Sequence, residues 1–298
     1  MTGSLHRPAG SLAHDGDPVA LYPQAAGWSL SGLRVLTLSA GVPRQVSTGD
    51  YELFVLPLTG GARVVAGGET FELTGRESVF TRVTDIAYVG RDTEVTLTSA
   101  TDAQIALPMA KARHRLPPRY GPADAVPVET RGAGAATRQV TNFGAPGGWD
   151  HADRLMACEL LTPPGNWSSY PQHKHDHTCA VDNEEIYYYR LAGPDGVTPS
   201  RRGFGLHRTY DDTVDEFVEV RDGDVCLVPH GYHGPCVAAP GYPMYYLNVL
   251  AGQGAERSMA FCDDPEHTWV RDSWRSQEID QRCPMTSATG IVGSGIPS

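Results

Sequence analysis

Two series of short β-type segments, broken by glycine, proline and aspartate, limit what this chain can fold into. The first series lies between about residues 28 and 108, and the second begins near residue 154. Segments such as YELFVLPL and EEIYYYRL are rich in the aliphatic and aromatic residues typical of strands. The chain contains 33 Gly and 23 Pro, and only 20% of its residues are charged. This composition favours short strands joined by tight turns over long helices.

A faint internal repeat indicates that the two series form similar all-β units. Glu52–Gly60 matches Glu185–Gly193 in pattern and length, and the overlay places Asp85 where His233 stands. Two barrels would account for this repeat. The expected divisions are a flexible N-terminal tail (1–20), an N-terminal barrel (21–115), a connector with a strand or two (116–150), a C-terminal barrel (151–265) and a partly disordered C-terminal extension that begins with a short helix (266–298).

Charge and hydropathy exclude several classes of partner. The formal net charge of −11 would repel a phosphate backbone, which argues against nucleic-acid binding. No apolar run approaches the length of a membrane span, and the first residues contain no signal-peptide pattern. None of the six cysteines forms a CxxC pair. We therefore expect a cytoplasmic protein with reduced thiols, no membrane partner and no zinc ribbon.

Four residues are spaced as ligands of one metal ion. His173 and His175 are two residues apart, so in a strand they would project from the same face. Glu185 opens the strand EIYYYR, in which Tyr187 and Tyr189 share its face. His233 follows GDVCLVP, which reads as a turn, a buried strand and a strand end. Three imidazoles and one carboxylate suit Zn²⁺, Fe²⁺, Mn²⁺ or Ni²⁺ better than Mg²⁺ or Ca²⁺.

Other residues near these motifs compete for the same roles. His177 continues the alternation of the first motif, although Asp-His-Thr reads as the start of a loop. His230 competes with His233, and Glu184 competes with Glu185. His207 is typical of a rim or surface histidine, with a place at the barrel mouth as the alternative. The phase of the following tyrosines and the overlay on the first unit favour Glu185 over Glu184.

The motifs resemble those of the cupins and, more narrowly, the 5-deoxy-glucuronate isomerase family of myo-inositol catabolism, which is similar to the 5-keto-4-deoxyuronate isomerases. The segments that carry this resemblance are GNWSSYPQHKHD (165–176), EEIYYYR (184–190), DGDVCLVPHGYH (222–233) and APGYPMYYLNVLAG (239–252). The resemblance implies a bicupin fold, with one divalent metal, preferably Zn²⁺, held in the second barrel by His173, His175, Glu185 and His233. The first barrel keeps Glu52 but has no histidine between residues 14 and 114, so it cannot form the same site.

The resemblance also implies an aldose-ketose isomerisation of a small anionic sugar acid. In that reaction 5-deoxy-glucuronate becomes 2-deoxy-5-keto-gluconate by transfer of a proton through an enediol. A hydride shift remains an alternative. A divalent metal would polarise the carbonyl as a Lewis acid, and a general base would move the proton. The candidates for the acid and base roles are Glu185, Tyr187, Tyr189 and Tyr246.

The substrate carboxylate needs a cationic partner, and a guanidinium fork suits it well. Arg208 is the favoured candidate, because strand alternation points Lys174 and Arg190 away from the metal face. Lys174 nevertheless remains a candidate for substrate binding. Asn248 shares a strand face with Tyr246 and is a further candidate.

Three rival functions remain open at this point. The site would also suit a mononuclear iron dioxygenase, and the fold would suit a sugar-binding cupin without activity. A 5-keto-4-deoxyuronate isomerase would differ from the predicted 5-deoxy-glucuronate isomerase only in its substrate. Assembly into a homo-oligomer is a further expectation that the sequence leaves open.

Overall fold

The computed structural model describes residues 4–293, which form two β-barrels packed side by side. The first barrel is built mainly on a nine-stranded sheet. Its strands are β2 (Val19–Leu21), β3 (Ser31–Leu38), β4 (Arg44–Ser47), β5 (Tyr51–Ala66), β6 (Glu69–Arg76), β7 (Ile86–Val89), β8 (Glu94–Thr98), β9 (Ala103–Lys111) and β10 (Arg119–Gly121). One turn of helix, α1 (Pro23–Ala26), precedes β3. Strand β5 is long enough to pair with β7 and β9 at its start and with β6 and β8 at its end.

The second barrel consists of a seven-stranded sheet facing a six-stranded sheet. The seven strands are β1 (His6–Arg7), β11 (Val128–Arg131), β12 (Arg138–Thr141), β13 (Met156–Thr162), β16 (Asn183–Leu191), β19 (Val225–Val228) and β21 (Met244–Gly252). The six strands are β14 (Trp167–Ser168), β15 (His173–Lys174), β17 (Gly205–Tyr210), β18 (Asp215–Val220), β20 (Tyr232–Ala238) and β22 (Cys262–Asp263). Within residues 4–293, no helix has both the length and the apolar character needed to cross a membrane.

Alternation along β16 divides its side chains between two cores. Ile186 and Tyr188 belong to a large apolar cluster that joins the two barrels. Tyr187 and Tyr189 point the other way, into the interior of the second barrel. Because alternate residues of a strand lie on opposite faces, Glu185 lies on the interior face as well. The same strand thus positions the candidate site and forms the contact with the first barrel.

The strand register corrects the overlay of the two units by one residue. Strands β7 and β19 occupy equivalent places in the two barrels. Strand β7 lies between β10 and β5, and β19 lies between β1 and β16. Leu53 pairs with the fourth residue of β7, as Glu185 pairs with the fourth residue of β19. Glu52 is therefore equivalent to Glu184, and the overlay of Glu52 on Glu185 is wrong. The two overlaid segments are similar in composition, which cannot fix a strand register.

The overlay of Asp85 on His233 is wrong for the same reason. Asp85 directly precedes β7, and Asp224 directly precedes β19, so these two aspartates are equivalent. Asp85 accepts hydrogen bonds from the backbone N–H groups of Thr74 and Gly75. Both aspartates therefore bind backbone next to an equivalent strand, and neither corresponds to a candidate metal ligand.

The N-terminal segment is not the loose tail that its polar composition predicted. Strand β1 pairs with β19 of the second barrel, and Leu5 is buried. Asp224 accepts a hydrogen bond from the backbone N–H of Ala9 and lies 2.8 Å from Nε2 of His6. Strand β19 would otherwise end its sheet, and an unpaired edge strand is a ready partner for another segment. This pairing depends on contacts far away in sequence, so local composition did not reveal it.

The C-terminal extension begins with the predicted short helix, α2 (Trp269–Ser273). A small hairpin of β23 (Thr286–Ser287) and β24 (Gly290–Ile291) follows. Cys283 and Met285 pack into the cluster between the barrels, so this part of the extension is anchored. The final residues, 294–298, on which part of the expected disorder falls, lie outside the described residues.

Two of the six cysteines form a disulfide, which corrects the expectation of reduced thiols throughout. Cys179 is bonded to Cys262, with Cα atoms 6.0 Å apart. Strand β22 pairs with β15 and brings Cys262 opposite Lys174, close to the loop that carries Cys179. This proximity arises from the sheet, so the absence of a CxxC pair could not exclude it. The remaining cysteines are buried and free: Cys158, Cys226, Cys236 and Cys283.

Candidate metal centre

Three of the four predicted ligands converge inside the second barrel. The donor atoms of His175, Glu185 and His233 all lie within 4.8 Å of one another. Glu185 Oε2 is 2.7 Å from His175 Nε2 and 3.1 Å from His233 Nε2. All three side chains are buried. Glu185 comes from β16, His233 from β20 and His175 from the residue after β15, so three segments of the barrel converge on one point.

His173 lies beside this cluster rather than within it. It is the cross-strand partner of His233, and the two imidazole centroids are 4.5 Å apart. Its Nδ1 donates a hydrogen bond of 3.2 Å to the Pro171 carbonyl. The fourth predicted ligand is therefore adjacent to the other three.

Backbone carbonyls select the tautomer of two histidines. His175 Nδ1 donates to the Asn183 carbonyl at 3.0 Å, as His173 does to Pro171. A carbonyl can only accept, so in each neutral ring the proton is on Nδ1 and the lone pair is on Nε2. Such a bond to the distal nitrogen is the usual companion of a metal-binding histidine.

The residues present fit a divalent cation. Burial lowers the pKa of His173 well below its usual value, which keeps the imidazole neutral. Burial opposes ionisation of Glu185, but the close approach of the His175 and His233 imidazoles outweighs it and lowers the pKa of the carboxyl. Among the described residues, neither ring nitrogen of His233 has a well-aligned hydrogen-bond partner. Metal binding requires neutral imidazoles and an ionised carboxylate, and a buried imidazole without a partner is a ready donor.

A cavity of about 360 Å³ opens onto this cluster. Tyr187 and Asn248 form part of its wall, together with Cys158, Met259 and Phe261. A cavity of this size is within the range of small-molecule sites. The candidate metal centre is therefore reachable by a ligand the size of a simple sugar acid.

Asn248 and Tyr187 sit where the sequence placed them, on the inner face of the barrel. Asn248 donates a hydrogen bond from Nδ2 to Glu185 Oε1, so it orients the carboxylate. The Tyr187 hydroxyl is 3.2 Å from Ser169 Oγ, and burial raises its pKa well above the usual value. Tyr187 therefore stays a neutral phenol that can donate a hydrogen bond into the cavity.

Tyr189 and Tyr246 are inside the barrel but outside the set of residues that line the cavity. The Tyr189 hydroxyl shares a hydrogen bond of 2.6 Å with His207 Nδ1. The Tyr246 hydroxyl is 3.0 Å from Ser169 Oγ. Their hydroxyls are engaged in the packed interior, which does not favour the catalytic role considered for them.

The predicted contact between Arg208 and the substrate carboxylate is not supported. Arg208 lies on the outer face of β17 and makes a paired hydrogen bond to Asp215, with both distances 2.9 Å. Its neighbour His207 occupies the inner face instead. Lys174 also points outward, with Nζ 3.8 Å from Asp176 and over the Tyr232 ring. In both cases strand alternation directs the charged side chain away from the cavity.

The competing ligand candidates also lie outside the donor cluster. His177 is exposed, and His230 pairs with Asp211. His207 is buried on the inner face of the barrel, and burial lowers its pKa to about 3. Glu184 faces the first barrel, where it accepts backbone hydrogen bonds from Ser29–Ser31.

The sequence analysis missed the cations that do line the cavity. They are Arg131, Arg138 and Arg271. The first two belong to β11 and β12, in the stretch that was expected to be a connector, and the third belongs to α2. The one available signal was the pattern RQVT at 138–141, a short β-type segment that begins with a cation.

Comparison with known proteins decides the family. A model of the KduI/IolB family matches residues 5–270. The chain belongs to this family. It is 38% identical over 273 residues to the 5-deoxy-glucuronate isomerase of Geobacillus kaustophilus, covering 89% of this chain and 95% of that protein. It is 36% identical to the Bacillus subtilis protein of the same description, covering 80% and 86% of the two chains.

Solved structures agree with the predicted bicupin architecture. An IolB-like protein from Salmonella typhimurium LT2 superposes with a TM-score of 0.81 at 32% identity, covering 90% of this chain and all of that one. The oxalate decarboxylase of Bacillus subtilis superposes with a TM-score of 0.60 at 11% identity, covering 88% and 80% of the two chains. At that identity the second likeness shows the fold alone. The all-β, bicupin prediction is thus confirmed.

Proposed function

We propose that this chain is a metal-dependent aldose-ketose isomerase of myo-inositol catabolism, which converts 5-deoxy-D-glucuronate to 2-deoxy-5-keto-D-gluconate. The relatives of the chain carry the description 5-deoxy-glucuronate isomerase. The observation that carries the proposal is the buried cluster of His175, Glu185 and His233, of which His175 and Glu185 line a ligand-sized cavity. A sugar-binding cupin without activity would have no need of such a cluster.

The metal would be held by His173, His175, Glu185 and His233. This borderline-soft donor set favours Zn²⁺, with Mn²⁺, Fe²⁺ and Ni²⁺ as alternatives. When bound, a divalent cation supplies Lewis-acid polarisation of the substrate carbonyl and its neighbouring hydroxyl. We further expect a small anionic substrate and a cytoplasmic location.

The other residues of the site would orient and protect the reacting groups. Asn248 fixes the rotamer of Glu185 through its amide, and the Asn183 carbonyl fixes the ring of His175. Tyr187, which remains a neutral phenol, can donate a hydrogen bond to an oxygen that gains negative charge during proton transfer. Burial of the cluster keeps bulk water from competing for these contacts.

The test is an NMR assay of aldehyde loss from 5-deoxy-D-glucuronate, together with metal analysis by mass spectrometry. We expect turnover by the wild type and joint loss of turnover and bound metal in His175→Ala. His230→Ala is the matched control, because that histidine is half-exposed and pairs with Asp211 outside the cavity. Full activity of a metal-free His175→Ala variant would refute the proposal.

Two further measurements separate the rival activities. A dioxygenase would consume O₂, so anaerobic turnover argues for the isomerase. Parallel assays with 5-keto-4-deoxyuronate distinguish the related isomerase, and the descriptions of the relatives favour 5-deoxy-glucuronate.

A further inference from the structure

One wall of the cavity carries an unusual concentration of positive charge. Arg131 and Arg138 are direct cross-strand partners on β11 and β12, and Arg271 lines the same cavity from α2. The candidate ligands His173, His175 and Glu185 lie on the wall of this cavity too. Since like charges in neighbouring positions are unfavourable, each guanidinium should have a compensating anion.

Two of the three arginines have a compensating carboxylate within the protein. Arg131 is paired with Glu129. Arg271 makes a paired contact with Asp263 and packs against Phe261. Their positive charges are therefore largely neutralised before any ligand arrives.

Arg138 has no such partner among residues 4–293. Its exposed fraction is 4%, and its Nη1 donates to the Ala136 carbonyl at 3.1 Å. Its Nε has no hydrogen-bond partner, and no carboxylate of the described residues lies within 4.0 Å of it. The guanidinium also packs over the Trp274 ring, 5.7 Å from its centroid.

A buried and unpaired cation is costly in a folded protein. Burial lowers the pKa of Arg138 to about 10, and the side chain still carries its charge at neutral pH. Its retention on the cavity wall therefore calls for a compensating anion from outside the chain. A guanidinium with free donors binds a carboxylate through parallel hydrogen bonds.

We propose that Arg138 binds the carboxylate of the sugar acid and thereby sets the specificity of the site for acids over neutral sugars. This inference rests on the proposed function for the identity of the substrate. It assigns to Arg138 the role that the sequence had given to Arg208. The carboxylate binds at the arginine wall, and the aldehyde end of the open chain reaches the histidine cluster across the cavity.

The first test compares two substrates that differ only at the acid group. They are 5-deoxy-D-glucuronate and 5-deoxy-D-glucose, in which a hydroxymethyl group replaces the carboxylate. For Arg138→Met we expect kcat/KM to fall on the order of 100-fold with the acid and to stay near the wild-type value with the neutral sugar. Arg138→Lys should recover part of the loss. Arg208→Met, on the outer face, is the matched control and should behave as wild type.

The second test requires no turnover. Melting temperatures of the metal-loaded proteins are measured with and without D-gluconate, an unreactive sugar acid. Without ligand, Arg138→Met should melt no lower than wild type, because it loses an uncompensated buried charge. Gluconate should stabilise wild type and Arg208→Met but not Arg138→Met.

Two results would overturn the inference. One is an equal loss of kcat/KM on both sugars in Arg138→Met, which would indicate a structural role. The other is gluconate stabilisation that survives in Arg138→Met. If wild type fails to isomerise 5-deoxy-D-glucuronate while its response to gluconate still depends on Arg138, the proposed function fails and the carboxylate site stands.

Discussion

The two barrels place a glutamate at the same strand position and use it in the same way. Glu52 accepts hydrogen bonds from the backbone N–H groups of Asp153, Arg154 and Leu155, just before β13. Glu184 accepts them from Ser29, Leu30 and Ser31, at the start of β3. Each barrel thus binds the backbone that enters the equivalent strand of the other.

The barrels differ at the next residue, which faces the interior. In the first barrel it is Leu53, within an aliphatic core that includes Val55, Val64 and Leu97. In the second it is Glu185, among histidines and tyrosines. The comparison shows that two features depend on opposite faces of one strand: one face makes the contact between the barrels, and the other carries the candidate metal centre. The interior residues could therefore change without loss of the contact between the barrels.

The largest effect should follow from replacing Glu185 of the second barrel by leucine, the residue at the equivalent position, 53, of the first barrel. Glu185→Leu removes the carboxylate from the metal set, and loss of Lewis-acid stabilisation worth several kcal/mol should lower kcat about 10²- to 10³-fold or more. Metal content should fall together with activity, while the melting temperature of the metal-free protein stays near that of metal-free wild type. Stoichiometric metal in this variant would contradict the ligand assignment.

The reciprocal change should damage stability instead. Leu53→Glu places a carboxylate in an aliphatic core without a cation or histidine, which should lower the free energy of unfolding by about 3–5 kcal/mol. Urea denaturation monitored by tryptophan fluorescence measures this. Leu53→Met, which conserves volume, is the control and should cost less than about 1.5 kcal/mol. Equal stability of both variants would mean that the first interior tolerates charge and would break the comparison.

The smallest effects concern the two glutamates that contact the backbone. Glu52→Gln replaces a charged acceptor that is fully buried, and should cost about 2 kcal/mol. Glu184→Gln should cost roughly half as much, because that carboxylate is partly exposed to water. Metal content should not change in either variant. Loss of metal in Glu184→Gln alone would show that the two faces of β16 are coupled.

Spacing predicted the convergence of His175, Glu185 and His233, because motif spacing and turn residues are local signals. The HxH motif placed His173 next to this cluster rather than in it, because β15 ends at Lys174 and does not carry the alternation as far as His175. The overlay of the two units was wrong by one residue. A shift of one residue moves every side chain to the opposite face of the strand but barely changes the composition of the overlaid segments, so composition could not reveal the error. Arg138 was missed because its importance comes from the lack of a partner, which only the three-dimensional contacts reveal.

The pairing of β1 with β19 has a consequence for dividing the protein. Strand β1 belongs to the start of the chain but completes a sheet of the second barrel, while β10, beyond the expected end of the first barrel, pairs with β7. Cleavage near residue 115 would deprive both fragments of a bordering strand and leave hydrogen-bonding groups open to other chains. The halves are therefore poor candidates for separate expression, and an affinity tag at the N-terminus would be joined close to a strand of the second barrel.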